Sequence, residues 1–402
     1  MLCTVTLRVC RRMVYSVEMT DTHTEDPTDI RDADDQDDRP QRIMLVTDAW
    51  EPQVNGVVRT LTRTVEECRA MGHDVEVIHP GLGYKTWPLP TYPEIQLAMG
   101  AKKDIKERFQ AFEPEAIHIS TEGTLGLAAR KVCLDWKLPF STSYHTKFPE
   151  YVNARFPFIP LSAGYSFMRW FHNAGGRLMV ATPSMRDDLE KRGFKNITPW
   201  ARGVDTELFH PSRRGIDGGL FKDLPGPVFL YVGRVAVEKN IEAFLRLDLP
   251  GSKVVVGPGP QLEELTKKYP DVHFLGSKSG EDLARHFADA DVFVFPSLTD
   301  TFGLVILEAM ACGTPVAGFL APGPKDLIPN TGAGWASDDL QEACLKALEM
   351  DRERCREYAE GFSWRSCAEE FVKNLKPQPK PERRKIWQRI RRLGRPEKKP
   401  LF

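Results

Sequence analysis

Short apolar runs, each stopped by a polar or glycine-rich turn, recur along most of the chain. They fall at residues 42–48, 74–80, 116–121, 140–146, 177–184 and 197–204, and again at 227–234, 253–259, 272–276, 291–297 and 314–318. Runs of this length separated by stretches with helical spacing are the pattern of βα units feeding a parallel sheet. Val57–Met71 reads as one intervening helix, closed by Gly72. A second is opened by Gly303 and ended by Gly313, and a third runs from Trp364 to Leu375. A polar, glycine-rich link over 212–226 interrupts the alternation. The pattern predicts an α/β protein with two doubly wound, Rossmann-like domains, residues 41–203 and 204–373, the last helix being free to pack back on the first domain.

The two ends of the chain depart from this pattern. Glu18–Asp38 holds ten acidic residues against one arginine and almost nothing to bury, so residues 1–40 are expected to form a disordered leader, with Met19 an alternative start. From Lys376 to Phe402 there are eleven Lys/Arg against two Glu. Ile386, Trp387, Ile390 and Leu393 recur there at helical spacing among Arg383, Arg384, Arg389, Arg391 and Arg392. A basic amphipathic segment over 374–402 suits an anionic bilayer surface, at about 1 kcal/mol per basic residue near it. A solvated tail and a nucleic-acid-binding tail share the same composition; the membrane reading is preferred, with Trp387 and Arg391 as contacts. Residues 147–173 form a second candidate surface, because Phe148, Tyr151, Phe156, Phe158, Tyr165, Phe167, Trp170 and Phe171 interleave with Lys147, Arg155 and Arg169. Exposed, Trp170 and Phe171 would meet a lipid or an acceptor; a core helix and loop is the competing reading.

Composition adds mainly exclusions. A net charge of −1 and 41% hydrophobic residues describe an ordinary globular chain. The eight cysteines include no Cys-x-x-Cys pair, which argues against a disulfide framework or a zinc site. No apolar run reaches 18 residues, and Arg8, Arg11 and Arg12 interrupt any N-terminal signal pattern.

The candidate chemistry sits at the ends of the apolar runs, where a parallel sheet presents its ligand-binding edge. Asp300 lies on the loop before the Gly303-led helix and Glu308 within that helix, a separation of roughly 12 Å if the helical rise ran through the loop. A carboxylate accepts from two adjacent hydroxyls, and the first N–H groups of that helix, at Gly303 and Leu304, suit a phosphate. Such a span fits a nucleotide diphosphate sugar. Arg234 and Lys239, five residues apart at a strand-to-helix turn, can clamp a diphosphate. Asn55-Gly56 lets backbone approach a ligand at a helix start. His145 falls at a strand end before a turn, whereas His118, inside its run, reads as structural. Ser277 and Lys278 follow a strand where a base could rest. Leu262 occupies the third position of a dinucleotide glycine pattern, which counts against a nicotinamide enzyme.

Gly233-Arg234 with Glu238-Lys239-Asn240, and Asp300-x7-Glu308 leading into Ala311-Cys-Gly-Thr-Pro-Val316, resemble the retaining glycosyltransferases of family 4. Asp48-Ala-Trp-Glu-Pro-Gln-Val-Asn-Gly-Val57 and Ser143-Tyr-His-Thr-Lys-Phe-Pro-Glu-Tyr151 extend the resemblance, which covers about residues 42–373. It implies the GT-B fold, two domains facing across a cleft, and looks most similar to bacterial enzymes that glycosylate membrane lipids. It assigns Glu308 to the donor ribose, Arg234, Lys239 and Gly56 to the diphosphate, Asp300 to sugar hydroxyls, and His145 to the reacting centre. The family pattern usually has Glu where Asp300 stands, one methylene longer. The expected reaction moves a hexose or hexuronic acid from a nucleotide sugar, UDP-glucose or UDP-glucuronate, to a lipid such as diacylglycerol, with retention. Cations stand in for a divalent metal, so no metal or other cofactor is expected. The expected location is cytoplasmic, peripheral on the inner face of the plasma membrane. A GDP-mannose-dependent α-mannosyltransferase acting on a lipid or polysaccharide precursor is the first rival, and a non-catalytic nucleotide-sugar-binding protein the second.

Overall fold

A computed structural model of the chain describes residues 41–393 apart from 90, 91, 157, 330 and 376–379. The leader and residues 394–402 of the tail lie outside the described residues. The first sheet comprises β1 (Arg42–Val46), β2 (Asp74–Ile78), β5 (Ala116–Ile119), β6 (Ser141–Tyr144), β7 (Arg177–Val180) and β8 (Ile197–Pro199). Its order is β2-β1-β5-β6-β7-β8, and every pairing is parallel. A hairpin of β3 (Thr86–Leu89) and β4 (Tyr92–Ala98) is inserted between β2 and β5.

The second sheet comprises β9 (Val228–Val232), β10 (Ser252–Val256), β11 (His273–Phe274), β12 (Val292–Phe295), β13 (Val316–Gly318) and β14 (Gly334–Ala336), again all parallel. Its order, β11-β10-β9-β12-β13-β14, reverses direction between β9 and β12. The first sheet reverses between β1 and β5. Loops leaving the carboxyl ends of strands at such a reversal diverge and leave a crevice, so each lobe has one built-in ligand edge.

Both faces of each sheet are covered, which is why strands such as β1, β9 and β12 read as unbroken apolar runs; β6 is buried although its residues are Ser-Thr-Ser-Tyr. Ile43, Leu45, Leu61, Val65 and Trp200 form one side of the first lobe; Met44, Val46, Phe109, Val132 and Trp136 form the other. In the second lobe, Leu230, Val254, Phe293 and Ile306 lie on one face and Phe229, Val255, Val294 and Phe244 on the other.

Two C-terminal helices belong to the first lobe. The helix Trp364–Asn374 places Trp364, Cys367 and Phe371 against Trp200. Trp200 Nε1 donates to Cys367 O at 3.1 Å, and Asn374 Nδ2 to Pro199 O at 2.6 Å. The chain crosses between lobes beside its own outward crossing: Val204 N donates to Phe362 O at 3.0 Å, and a Cβ on Gly203 would lie 2.5 Å from Trp364 N.

The helix Lys380–Leu393 corrects the expectation for the tail. Trp387 is 3% exposed and Ile390 fully buried, both within the cluster that holds Phe109 and Trp136. Arg389 donates to Trp136 O at 2.7 Å, and Arg391 pairs with Glu113. The apolar stripe that suggested lipid contact therefore covers the first lobe, while Lys385, Gln388, Arg389 and Arg391 face outward. Helical spacing reveals an apolar face without naming its partner, and here a neighbouring protein surface supplies one. Among the described residues no helix is long and apolar enough to cross a membrane.

Candidate active site in the cleft

β1 is followed by Thr47-Asp48, and Asp48 is buried. It accepts from Leu125 N at 2.8 Å, Gly126 N at 3.2 Å and the Thr121 hydroxyl at 2.9 Å. Burial raises its pKa against these hydrogen bonds, which favour the charged form. Asp48 thus caps the helix Thr124–Trp136 and ties together the two strands flanking the reversal. The loop continues to Asn55, whose side chain accepts from Val57 N and Val58 N, both at 3.0 Å, and starts the helix Gly56–Ala70. Gly56 faces the second lobe; a Cβ there would lie 3.6 Å from Leu304 Cδ1. The starts of two helices, one from each lobe, therefore meet across the cleft.

In the second lobe the loops after β9 and β12 are stitched together. Asn240 Nδ2 donates to Pro296 O at 3.1 Å and the Thr299 hydroxyl to Glu238 O at 3.0 Å. Lys239 Nζ lies 2.5 Å from Asp300 Oδ1. Burial opposes the Lys239 charge, but Asp300, with Tyr151 and Tyr231 beside it, outweighs burial and holds its pKa above that of an ordinary lysine. Arg234 Nε stands 4.0 Å from the buried Glu238 carboxylate. Gly303 has φ 88°, and a Cβ would come within 3.0 Å of Ile306 and Phe295, so only glycine turns the chain tightly enough to aim the Leu304–Ala311 helix start at the crevice.

Glu308, one turn into that helix, is buried and pairs with Arg59 of the first lobe. Its other oxygen, Oε2, and Asp300 Oδ2 are buried with no hydrogen-bond partner among the described residues. Two orphaned carboxylate oxygens on one loop-and-helix segment are acceptors without donors, and hydroxyl groups of a ligand would satisfy them.

His145 follows β6 and is joined to the second lobe through its backbone, since the Thr301 hydroxyl donates to His145 O at 2.6 Å. Its ring lies edge-on to Trp200, with Nε2 2.8 Å from the Ser143 hydroxyl and Nδ1 3.5 Å from Arg202. Because a guanidinium only donates, Nδ1 accepts and Nε2 carries the proton toward Ser143. Ser143 also lies 3.1 Å from His118 Nε2, and Ser141 2.9 Å from His118 Nδ1. Burial, then Arg202 and His172, push the His118 pKa down to about 3; burial, then Arg202, His118 and His172, hold that of His145 well below the usual value. Both rings are neutral at pH 7, and His118 fixes the orientation of His145 from beneath. Arg202 is itself buried, which lowers its pKa to about 10.

Asp300, Lys239, Gly303, Leu304, Glu308, Gly56 and His145 are thus brought to one cleft, and Arg234 to the loop that carries Lys239. Ser277 is exposed, and Lys278 pairs with Asp282 at 3.2 Å, both just after β11 at the same sheet end. Trp170 is 54% exposed with the Arg130 guanidinium stacked on it, whereas Phe171 is fully buried in the first-lobe core and is not a surface contact as expected. Phe171 stands about 100° round the helix from Trp170, on the side that carries the buried Met168 and His172.

Two residues on the first lobe went unread. Tyr151, from the Phe148–Arg155 helix, reaches Thr299, Lys239 and Asp300; burial raises its pKa. Arg59, three residues after Gly56, reaches Glu308. Tyr151 closes a segment already quoted, with no role in the site assigned to it, and Arg59 lies one turn after a glycine already singled out.

Two parallel doubly wound sheets, with candidate donor groups on one lobe facing a helix start and a histidine on the other, define a glycosyltransferase of GT-B type. Residues 54–208 match the model for Glycosyltransferase Family 4, and residues 226–350 the model for Glycosyl transferases group 1. A GDP-mannose-dependent alpha-mannosyltransferase of Corynebacterium glutamicum is 33% identical over 77% of this chain and 80% of its own. Alpha-monoglucosyldiacylglycerol synthase of Streptococcus pneumoniae is 28% identical over 76% and 78%. Sucrose-phosphate synthase of Thermosynechococcus elongatus shares the fold, with a TM-score of 0.65 at 20% identity over 83% of this chain and 98% of that one. The chain belongs to glycosyltransferase family 4.

Proposed function

We propose that this enzyme transfers a hexose or hexuronic acid from a nucleoside diphosphate sugar to the hydroxyl of a membrane lipid, retaining the anomeric configuration. The carrying observation is the pair of orphaned buried oxygens on Glu308 and Asp300, set beside Lys239 and the helix start at Gly303 in one cleft. Glu308 takes the ribose hydroxyls. Arg234, Lys239 and the N–H groups at Leu304 and Gly56 take the diphosphate, and their charge stabilises the departing phosphate as the glycosidic bond breaks. They fill the part a divalent metal plays in other transferases. Asp300 leaves Lys239 for a sugar hydroxyl, and as the shorter acid it draws the sugar nearer its own loop. His145, joined to the Asp300 loop through Thr301, serves near the reacting centre as a neutral imidazole held by Ser143. A leaving phosphate oxygen accepts the acceptor's proton on the same face of the sugar.

The lipid acceptor is supported by an apolar surface on the first lobe. Phe158 is 80% exposed, and Leu161, Phe167 and Trp170 of the Leu161–His172 helix are exposed as well. Such a patch suits a peripheral position on the inner face of the plasma membrane, with the outward basic side of the Lys380–Leu393 helix adding charge attraction but no insertion. Diacylglycerol with UDP-glucose or UDP-glucuronate is the first pair to test, in line with the named diacylglycerol relative. GDP-mannose is the second donor, favoured by the Corynebacterium relative.

The decisive experiment incubates the enzyme with each UDP- and GDP-sugar and mixed micelles of diacylglycerol or phosphatidylinositol. Nucleoside diphosphate release is followed, and the lipid product is analysed by mass spectrometry and NMR. An α-linked glycolipid from an α-linked donor is the expected result. Release of no nucleoside diphosphate with any combination would leave only a nucleotide-sugar-binding role.

A further inference from the structure

Arg59 stands on the first lobe, in the opening turn of the Gly56–Ala70 helix, yet its guanidinium is bonded to Glu308 Oε1 on the second. The partners are unequal: the Glu308 side chain is 4% exposed and that of Arg59 42%. A buried carboxylate needs a counter-charge, and Arg59 supplies it from the solvent side. A vicinal diol uses both oxygens of a carboxylate, one per hydroxyl. Only Oε2 is without a partner, so a diol that takes one oxygen per hydroxyl must compete with Arg59 for Oε1. Asp205, bonded to Arg63 at 2.9 Å one turn further along the same helix, acts on the Arg59 charge and offers the displaced guanidinium another acid.

We infer that Arg59 is a built-in competitor of the donor ribose: it occupies Glu308 in the empty enzyme, yields it when nucleotide enters, and reclaims it as the nucleoside diphosphate leaves. The inference rests on the proposed role of Glu308 toward ribose. It explains how the cleft tolerates a buried carboxylate between turnovers, and it makes product release an exchange of ion pairs. Arg59 acts here on ligand affinity through Glu308 and touches no reacting atom.

Titration calorimetry on the full chain separates the possibilities. The probes are UDP and GDP, whichever binds, and the corresponding 2′,3′-dideoxy nucleoside diphosphate. Wild type should bind the hydroxyl-bearing ligand more tightly than the dideoxy one. Arg59→Met should then tighten the hydroxyl-bearing ligand by about fivefold, the scale of releasing one partly exposed ion pair, and leave the dideoxy ligand unchanged. Arg59→Lys should fall between. Arg63→Met, which breaks the neighbouring pair with Asp205 and spares Glu308, should not alter the difference between the two ligands. Equal weakening of both ligands by Arg59→Met would make Arg59 a direct ligand or a brace between lobes, and unchanged binding would make the pair a surface contact; either overturns the inference. Failure of wild type to distinguish the two ligands would instead remove Glu308 from the ribose, and the competition with it.

Discussion

Replacing Lys239 by methionine keeps the length of the side chain and removes its charge, leaving Asp300 with one oxygen newly unpaired and the other already so. The two side chains are 24% and 17% exposed, so the pair is mostly but not wholly shielded from water. At an effective dielectric of about 20, opposite charges about 4 Å apart attract by about 4 kcal/mol. Desolvation of both groups offsets part of this, and a net coupling of roughly 2–3 kcal/mol remains. A double-mutant cycle reads it directly: Lys239→Met, Asp300→Asn and the double variant, each unfolded in urea and followed by tryptophan fluorescence. Lys239→Met should be the least stable of the three, and Asp300→Asn added to it should restore most of the loss. Turnover should separate from stability, since every variant lacking Lys239 should fall at least tenfold in kcat, about 1.4 kcal/mol of barrier, however stable it is. A coupling below about 0.5 kcal/mol, or a full kcat for Lys239→Met at saturating donor, would refute the reasoning.

Two further outcomes follow from the buried groups. The His118 pKa is about 3 in the fold against an ordinary 6.5, and that of His145 is also depressed, so below pH 6.5 the unfolded chain binds protons that the folded chain refuses. Stability held above that pH should therefore decline as pH falls from 6.5 toward 3, by about 1.4 kcal/mol per pH unit for His118 with His145 adding in the same direction, and His118→Gln should visibly flatten the urea-midpoint profile. Trp387→Ala should lower the melting temperature while Trp170→Ala leaves it unchanged; vesicle sedimentation should show the reverse order, because one indole is core and the other surface. Equal melting temperatures for the two variants would restore a free, lipid-facing tail.

Most of the fold was legible because parallel strands covered on both faces are mostly apolar, as in Val228–Val232 and Val292–Phe295, and because glycine marks helix ends. The site was legible where one short segment carries several of its groups, as Asp300, Gly303 and Glu308 do. What crosses the cleft was not. Arg59 has the spacing of a solvated face residue on an amphipathic helix, and Tyr151 sits in an aromatic stretch that reads equally as core or surface. Their partners, Glu308 and Lys239 with Asp300, lie far along the chain and are set by how the lobes close. The tail failed for a related reason: the spacing of Ile386, Trp387 and Ile390 fixes a stripe, and whether protein or lipid covers it depends on a surface built from residues 102–136.

The paired crossings near Gly203 and Trp364 carry a consequence for how the halves can be handled. Two strands of polypeptide, bonded to each other at Val204 and Phe362, connect the lobes at one edge, and both must flex together. Such a double tether resists twisting and sliding more than it resists a swing, so motion of the lobes should be confined to one axis lying along that edge. A fragment cut at the first crossing would carry away Trp364 and Phe371 and strip the cover from Trp200. The first half is therefore not a severable module, and a recombinant N-terminal piece would need residues 364–375 supplied in trans to hold its shape.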